Sequence, residues 1–324
     1  MKVLITGGMG VIGAETTRKF VREGHRPVVF ARHREDRLVG DIVDQIDFEA
    51  GDILDMPRLL GVIKQHKVTH IIHAAAFVGA MSAANPALSI QVNVMGTVNV
   101  LEAARLFDIK RVVYTSAKGI YGPFVGEYGP PHYKPVHEDM PNKNPQRIYD
   151  SAKLMCEQTA LYYANNFGID VAILRFAMTY GPGKSARHGK MGVTSQIVES
   201  PFHGLPFHHP YGAEAKDDFI YNKDSALGIY LATIAEKVPS RVYNLGWGKG
   251  VSLNDLADVV RKYIPGADIK IGPGDNFLGM PYPPHGIYDV TRAREELGFK
   301  PEYDIDRAVV DYIASLERMR AQGI

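Results

Sequence analysis

The chain has 324 residues, of which 45% are apolar and 23% charged, enough for one large α/β domain with a smaller lobe or for two domains. Lysine plus arginine (37) nearly balances aspartate plus glutamate (36), so no global charge favours nucleic acid or a membrane surface as partner. No apolar run is long enough to span a bilayer.

Residues 3–6 (Val-Leu-Ile-Thr) read as a first strand, entered so early that no signal peptide fits before it. Gly7, Gly10 and Gly13 follow, and a helix over 14–23 ends at Gly24. Glycines in this context permit a tight turn, a close backbone approach to a pyrophosphate and close helix–strand packing. The helix N-terminus offers amide donors and partial positive charge to the phosphates, and Val11 and Ile12, in the turn before it, are placed against the cofactor. The expected ligand is a nicotinamide dinucleotide. The second strand, 27–31, ends at Ala31, where a carboxylate would hold the adenosine ribose; Arg32 and Arg34 come next. An arginine there pairs with a 2′-phosphate, which favours NADP over NAD. The alternative is that Arg32 and Arg34 are solvated loop charges partnered by Glu35 and Asp36. Gly51-Asp52-Ile53 follows the place of a third strand, and Asp52 is either an acceptor for the adenine amino group or an ordinary turn aspartate.

An apolar run over 68–74, a helix over 94–107, a strand over 111–115, a long helix over 149–167 and a strand over 169–176 continue the alternation. Continuous apolar strands separated by helices imply a parallel sheet covered on both faces. Tyr149 and Lys153 lie four apart on the long helix and so share a face. A phenol titrates near 10, and bringing it to about 7 takes roughly 4 kcal/mol of preferential phenolate stabilisation. A neighbouring ammonium and an oxidised nicotinamide supply that, making Tyr149 an acid/base for an alcohol–carbonyl pair. The single cysteine, Cys156, excludes an internal disulfide, fits a reducing cytoplasm and reads as a small buried hydrophobe.

The second half is less regular. Gly181-Pro182-Gly183-Lys184 breaks the pattern, and a stretch rich in His, Pro and Gly runs over 201–212. A helix over 252–263 has Ser252 as N-cap and Asp255 at N3. Residues 272–286 read as loop, and 291–297 and 306–319 as helices. His188, His203, His208 and His209 show no distinctive ligand spacing, so no metal is expected. Lys118, beside the fifth strand, is either a substrate contact or a solvated lysine. Trp247 reads as packing.

Taken together, these residues resemble the extended short-chain dehydrogenase/reductase superfamily, in its NAD-dependent epimerase/dehydratase branch, along nearly the whole chain. Thr6 to Gly13 looks like its cofactor turn, Gly51-Asp52-Ile53 its adenine contact, and His73-Ala74-Ala75-Ala76 the small-residue wall under the cofactor. Asn93 matches the asparagine opening its fourth helix, and 113–122 its serine strand. Segments 174–183, 218–221 and 243–246 resemble later family segments. The resemblance implies an α/β fold: a Rossmann-like doubly wound parallel sheet (1–175) with a smaller C-terminal substrate-binding lobe (176–324), from which 218–246 returns to the sheet. It also implies a homodimer packed through the helices of Asn93 and Tyr149.

Four departures bear on the substrate. Ala117 occupies the serine position, leaving Ser116 or Thr115 for that job. Met178 stands where nucleotide-sugar enzymes tend to have asparagine, and with Thr179 is placed against the substrate. Asp217 replaces an arginine, and Tyr282-Pro283-Pro284-His285 lacks another; Lys216 or Arg187 would have to compensate. These departures favour an NAD(P)-dependent oxidoreductase acting on a small polar, sugar-like or hydroxy-acid substrate. The alternative is a nucleotide-sugar epimerase or dehydratase with transient hydride transfer to tightly bound NAD. A third reading is a non-catalytic NADP-binding sensor.

Overall fold

The computed structural model describes residues 1–140 and 143–321, with the side chains of Ala186 and Arg187 outside the description. Seven strands form the principal sheet: β1 (Val3–Thr6), β2 (Val28–Ala31), β3 (Asp47–Ala50), β4 (His70–His73), β5 (Arg111–Ala117), β6 (Val171–Phe176) and β7 (Val242–Leu245). Their spatial order is β3-β2-β1-β4-β5-β6-β7, and every pairing is parallel. The order reverses between β1 and β4, so a crevice opens outside their carboxyl ends, where doubly wound sheets bind ligands. Apolar strands need cover on both faces. Leu4, Val28, Ile71, Val112 and Ile173 pack on one side, and Val3, Ile5, Ile72, Val113 and Leu174 on the other.

A second core holds the smaller lobe. Met178–Tyr180, Lys216–Tyr221 and Gly250–Ser252 form a three-stranded sheet, and Phe207–His209 pairs with Ile269–Ile271. Helices Val193–Phe202, Leu253–Tyr263 and Ile305–Ala321 bury Ile197, Leu256, Val260 and Tyr312 against these strands. The expected cap of the middle helix is present in full, because Ser252 Oγ accepts from the Asp255 amide at 3.1 Å while Asp255 accepts from the Ser252 amide at 2.8 Å.

The structure differs from the sequence expectation in places. The helix foreseen over 94–107 begins at Gly96 and is preceded by a π-helical turn, Gln91–Met95. There the Asn93 carbonyl accepts the Thr97 hydroxyl at 2.6 Å and the Cys156 thiol at 3.2 Å. Single π turns of this kind recur at functional sites. Helices Met56–His66, Val193–Phe202 and Asn222–Ile234 went unread. The last buries Ala226, Ile229 and Ala232 between the sheet and the Val11–Arg22 helix, so it lacks the one-sided polar stripe that marks an amphipathic helix.

Candidate active site

The crevice begins at the glycine turn. Gly7 has φ +71°, which an L side chain rarely adopts, and a Cβ there would lie 2.7 Å from the Ala75 amide nitrogen. A Cβ on Gly13 would lie 2.1 Å from the Gly7 carbonyl oxygen. The turn is thus closed on itself, with the amide end of the Val11–Arg22 helix facing the crevice; this backbone cradle fits a pyrophosphate.

The wall beyond β4 is fixed by hydrogen bonds. The Ala74 and Ala75 amides donate to Thr6, at its carbonyl (3.1 Å) and its hydroxyl (3.3 Å). Asn93 does not point into the crevice. It clamps the backbone of Phe77, accepting from its amide at 2.8 Å and donating to its carbonyl at 3.0 Å, and so holds Ala74, Ala75 and Ala76 in line from below. His73 bridges Thr6 (2.7 Å) and Thr97 (3.1 Å) beneath them. Burial, with Lys153 adding to it, pulls the His73 pKa to about 3, so the ring is a neutral brace.

At the adenosine end, Arg34 is drawn onto Asp36 at 2.9 Å, as the loop-charge alternative anticipated, while Arg32 stays exposed. Asp52 accepts from the Leu54 amide at 2.9 Å, the geometry of a turn aspartate with one oxygen so engaged. Ile53 is buried against Gly96, whose missing side chain admits it.

Tyr149 and Lys153 project from the Ile148–Phe167 helix toward the end of β5. The Lys153 ammonium donates to the Thr115 carbonyl at 2.6 Å and sits 5.7 Å from the centre of the Tyr149 ring. Burial brings its pKa to about 8, opposed by Cys156 and Glu157. Burial also raises the Tyr149 phenol, with Asp150 adding to the rise and Arg147 opposing it. The Arg147–Asp150 pair, at 2.6 and 2.9 Å, was missed in the sequence; its signal is the Arg-x-x-Asp spacing around the tyrosine.

Neither candidate for the third catalytic position has a free hydroxyl proton. Ser116 donates to the buried Glu157 carboxylate, which Arg175 holds at 2.7 Å. Thr115 donates to the His73 carbonyl at 3.1 Å. Lys118 is also committed: its ammonium pairs with Asp217 and donates to the Gly286 carbonyl at 2.8 Å. Burial lowers its pKa, and Asp218 opposes that. Asp217 is fully buried and accepts further from His285 Nδ1 (3.1 Å) and the amides of Gly286 (3.2 Å) and Asp218 (2.9 Å). It faces these donors. Met178 and Thr179 lie just past β6, both buried. Lys216 is exposed, and the Arg187 side chain lies outside the described residues. Among the described residues no group of three or more His, Cys, Asp or Glu is placed to hold a metal. His208 pairs with Asp268 and His209 with the Phe277 carbonyl. No described helix is long and apolar enough to cross a membrane.

A family profile for the NAD dependent epimerase/dehydratase family matches residues 3–246. The chain belongs to that family. It is an enzyme of the extended short-chain dehydrogenase type. A UDP-glucose 4-epimerase of Mycolicibacterium smegmatis is 28% identical over 93% of this chain and 94% of its own. The crystal structure of a UDP-glucose 4-epimerase from Brucella ovis in complex with NAD is 26% identical, with TM-score 0.79 over 95% of this chain and 96% of its own. L-threonine dehydrogenase of Clostridium difficile shares the fold, at 24% identity and TM-score 0.82 over 98% of each chain.

Proposed function

We propose that this enzyme is an NAD-dependent sugar-nucleotide epimerase that oxidises a substrate hydroxyl transiently and reduces the carbonyl again. The observation that carries this reading is the Tyr149–Lys153 pair beside the glycine cradle, in a chain aligned end to end with UDP-glucose 4-epimerases. When bound, the dinucleotide supplies a hydride acceptor and, oxidised, a positive ring. Gly7, Gly10, Val11, Ile12 and Gly13 would hold its pyrophosphate, Asp52 and Ile53 its adenine, and Ala74 to Ala76 its nicotinamide half. Tyr149 receives the hydroxyl proton as the carbon is oxidised and returns it on reduction. Lys153, anchored on Thr115, favours the phenolate and holds the ribose. Met178 and Thr179 border the substrate.

The test is to denature purified enzyme, identify the released dinucleotide, and assay UDP-galactose conversion to UDP-glucose. Retained NAD with turnover that needs no added cofactor is the expected result. An empty site that exchanges NADP(H) and no UDP-sugar turnover would sink the reading.

Two observations favour a second reading. Asp217 sits saturated and buried where an arginine would meet a diphosphate, and Met178 replaces an asparagine. That suits a dehydrogenase for a small polar substrate, and Arg32 beside Ala31 would then take the 2′-phosphate of NADP.

The exposed apolar surface supports a homodimer. Leu88, Met95 and Leu106 on one helical run, and Met155, Tyr162 and Phe167 on the packed catalytic helix, are exposed apolar side chains. Such a two-helix face is suited to a self-complementary interface. Sedimentation should give twice the 35.8 kDa chain mass, and Met155→Glu with Tyr162→Glu should give single chains; a wild-type monomer refutes it.

A further inference from the structure

Lys184 belongs to no network described above. It follows Gly181-Pro182-Gly183, is only 7% exposed, donates to the Thr179 carbonyl and lies 3.7 Å from Met178 Sδ. Among the described residues no carboxylate pairs with it. An ammonium carries three donors, of which the carbonyl takes one, while a thioether is a weak acceptor. A buried cation left uncompensated is among the costliest groups a fold can retain. Burial alone draws its pKa to about 7.

The segment that carries it borders the crevice. Met178 lies two residues past Phe176, whose register partner is Ala117 at the end of β5. The Ser185–His188 turn after Lys184 packs on the Gly79–Ala84 helix beyond the Ala74–Ala76 wall. Met191 Sδ accepts from Arg147 at 3.4 Å, two residues before Tyr149. These contacts place the segment that begins at Lys184 between the cofactor wall and the catalytic helix.

We infer that Lys184 is the cation that meets a phosphate oxygen in this crevice, supplying the charge that Asp217 withholds and the donor that Met178 withholds. The inference rests on the sugar-nucleotide reading for its substrate, and the phosphate belongs either to that substrate or to the dinucleotide.

The experiment measures binding of inorganic pyrophosphate, UDP and NAD to full-length enzyme and to Lys184→Met and Lys184→Arg. Loss of one charge-assisted contact weakens a phosphate ligand about tenfold or more. Lys184→Met should weaken pyrophosphate and UDP by that factor, with NAD within about twofold, if the substrate's phosphate is met; NAD falls instead if the contact is to the cofactor. Lys184→Arg should recover part of the loss. A second readout needs no ligand. A lysine whose folded pKa lies near 7 against 10.5 unfolded binds fewer protons when folded across that window, so stability rises with pH there. Lys184→Met should melt higher than wild type at pH 6 and lose that part of the rise. Unchanged affinities for all three ligands, or a wild type that binds none, would overturn the inference. Lys184-dependent pyrophosphate binding without UDP-sugar turnover would remove the epimerase reading and leave Lys184 in place.

Discussion

Replacing Tyr149 by phenylalanine is expected to lower turnover by roughly 10²–10⁴-fold while leaving dinucleotide retention intact. The ring, its place on the Ile148–Phe167 helix and the Lys153–Thr115 anchor all survive the change, so only the proton carrier is removed. The structure also says why the lysine is needed. Burial and Asp150 push the phenol up, and Arg147 alone opposes them. Lys153, at 5.7 Å from the ring, is the nearest buried ammonium on the same helix face. Its own pKa is near 8, so its charge is present at neutral pH and is lost as pH rises through that value. The rate should therefore fall on the alkaline side above about 8, and Lys153→Arg should shift that limb upward. A Tyr149→Phe enzyme with full turnover would place the acid/base elsewhere, with Lys118 and His285 then the groups to examine.

How much of this was legible in the sequence differs by residue. The β1 strand, glycine turn and Tyr149 helix could be read because local rules decide them: strand composition, glycine backbone freedom and an i, i+4 pair. The Asn222–Ile234 helix could not, because it is buried between elements far away in the chain and carries no amphipathic period, while the β7 segment was legible only through its resemblance to a family segment. Asn93 was picked out, but its work is to clamp Phe77 across the crevice wall, a contact 16 residues away in sequence. Lys118 and Asp217 are 99 residues apart, and only the folded chain shows that each neutralises the other. The same holds for Ser116. Its neighbourhood to Ala117 suggested a catalytic hydroxyl, and only the packing of the long helix on β5 reveals Glu157 opposite it.

That last pair makes the strongest stability prediction. Glu157 and Arg175 are both buried, and Arg175 also donates to the Tyr121 hydroxyl (2.8 Å) and the Glu138 carbonyl (2.9 Å). Glu157→Ala leaves a buried guanidinium and the Ser116 hydroxyl without their acceptor, a loss expected at about 3–5 kcal/mol. Calorimetric or denaturant unfolding should show it directly. Glu157→Leu combined with Arg175→Met removes both charges and should cost clearly less than the single change, because neither is left uncompensated. Ser116→Ala separates structure from chemistry at the same spot. If Ser116 serves the Glu157–Arg175 pair, stability falls by about 1–2 kcal/mol and turnover holds within a few-fold. If it polarises the substrate carbonyl, turnover falls by a hundredfold or more, roughly the loss when one such donor is removed. The hydroxyl proton is committed to Glu157, so the first outcome is expected.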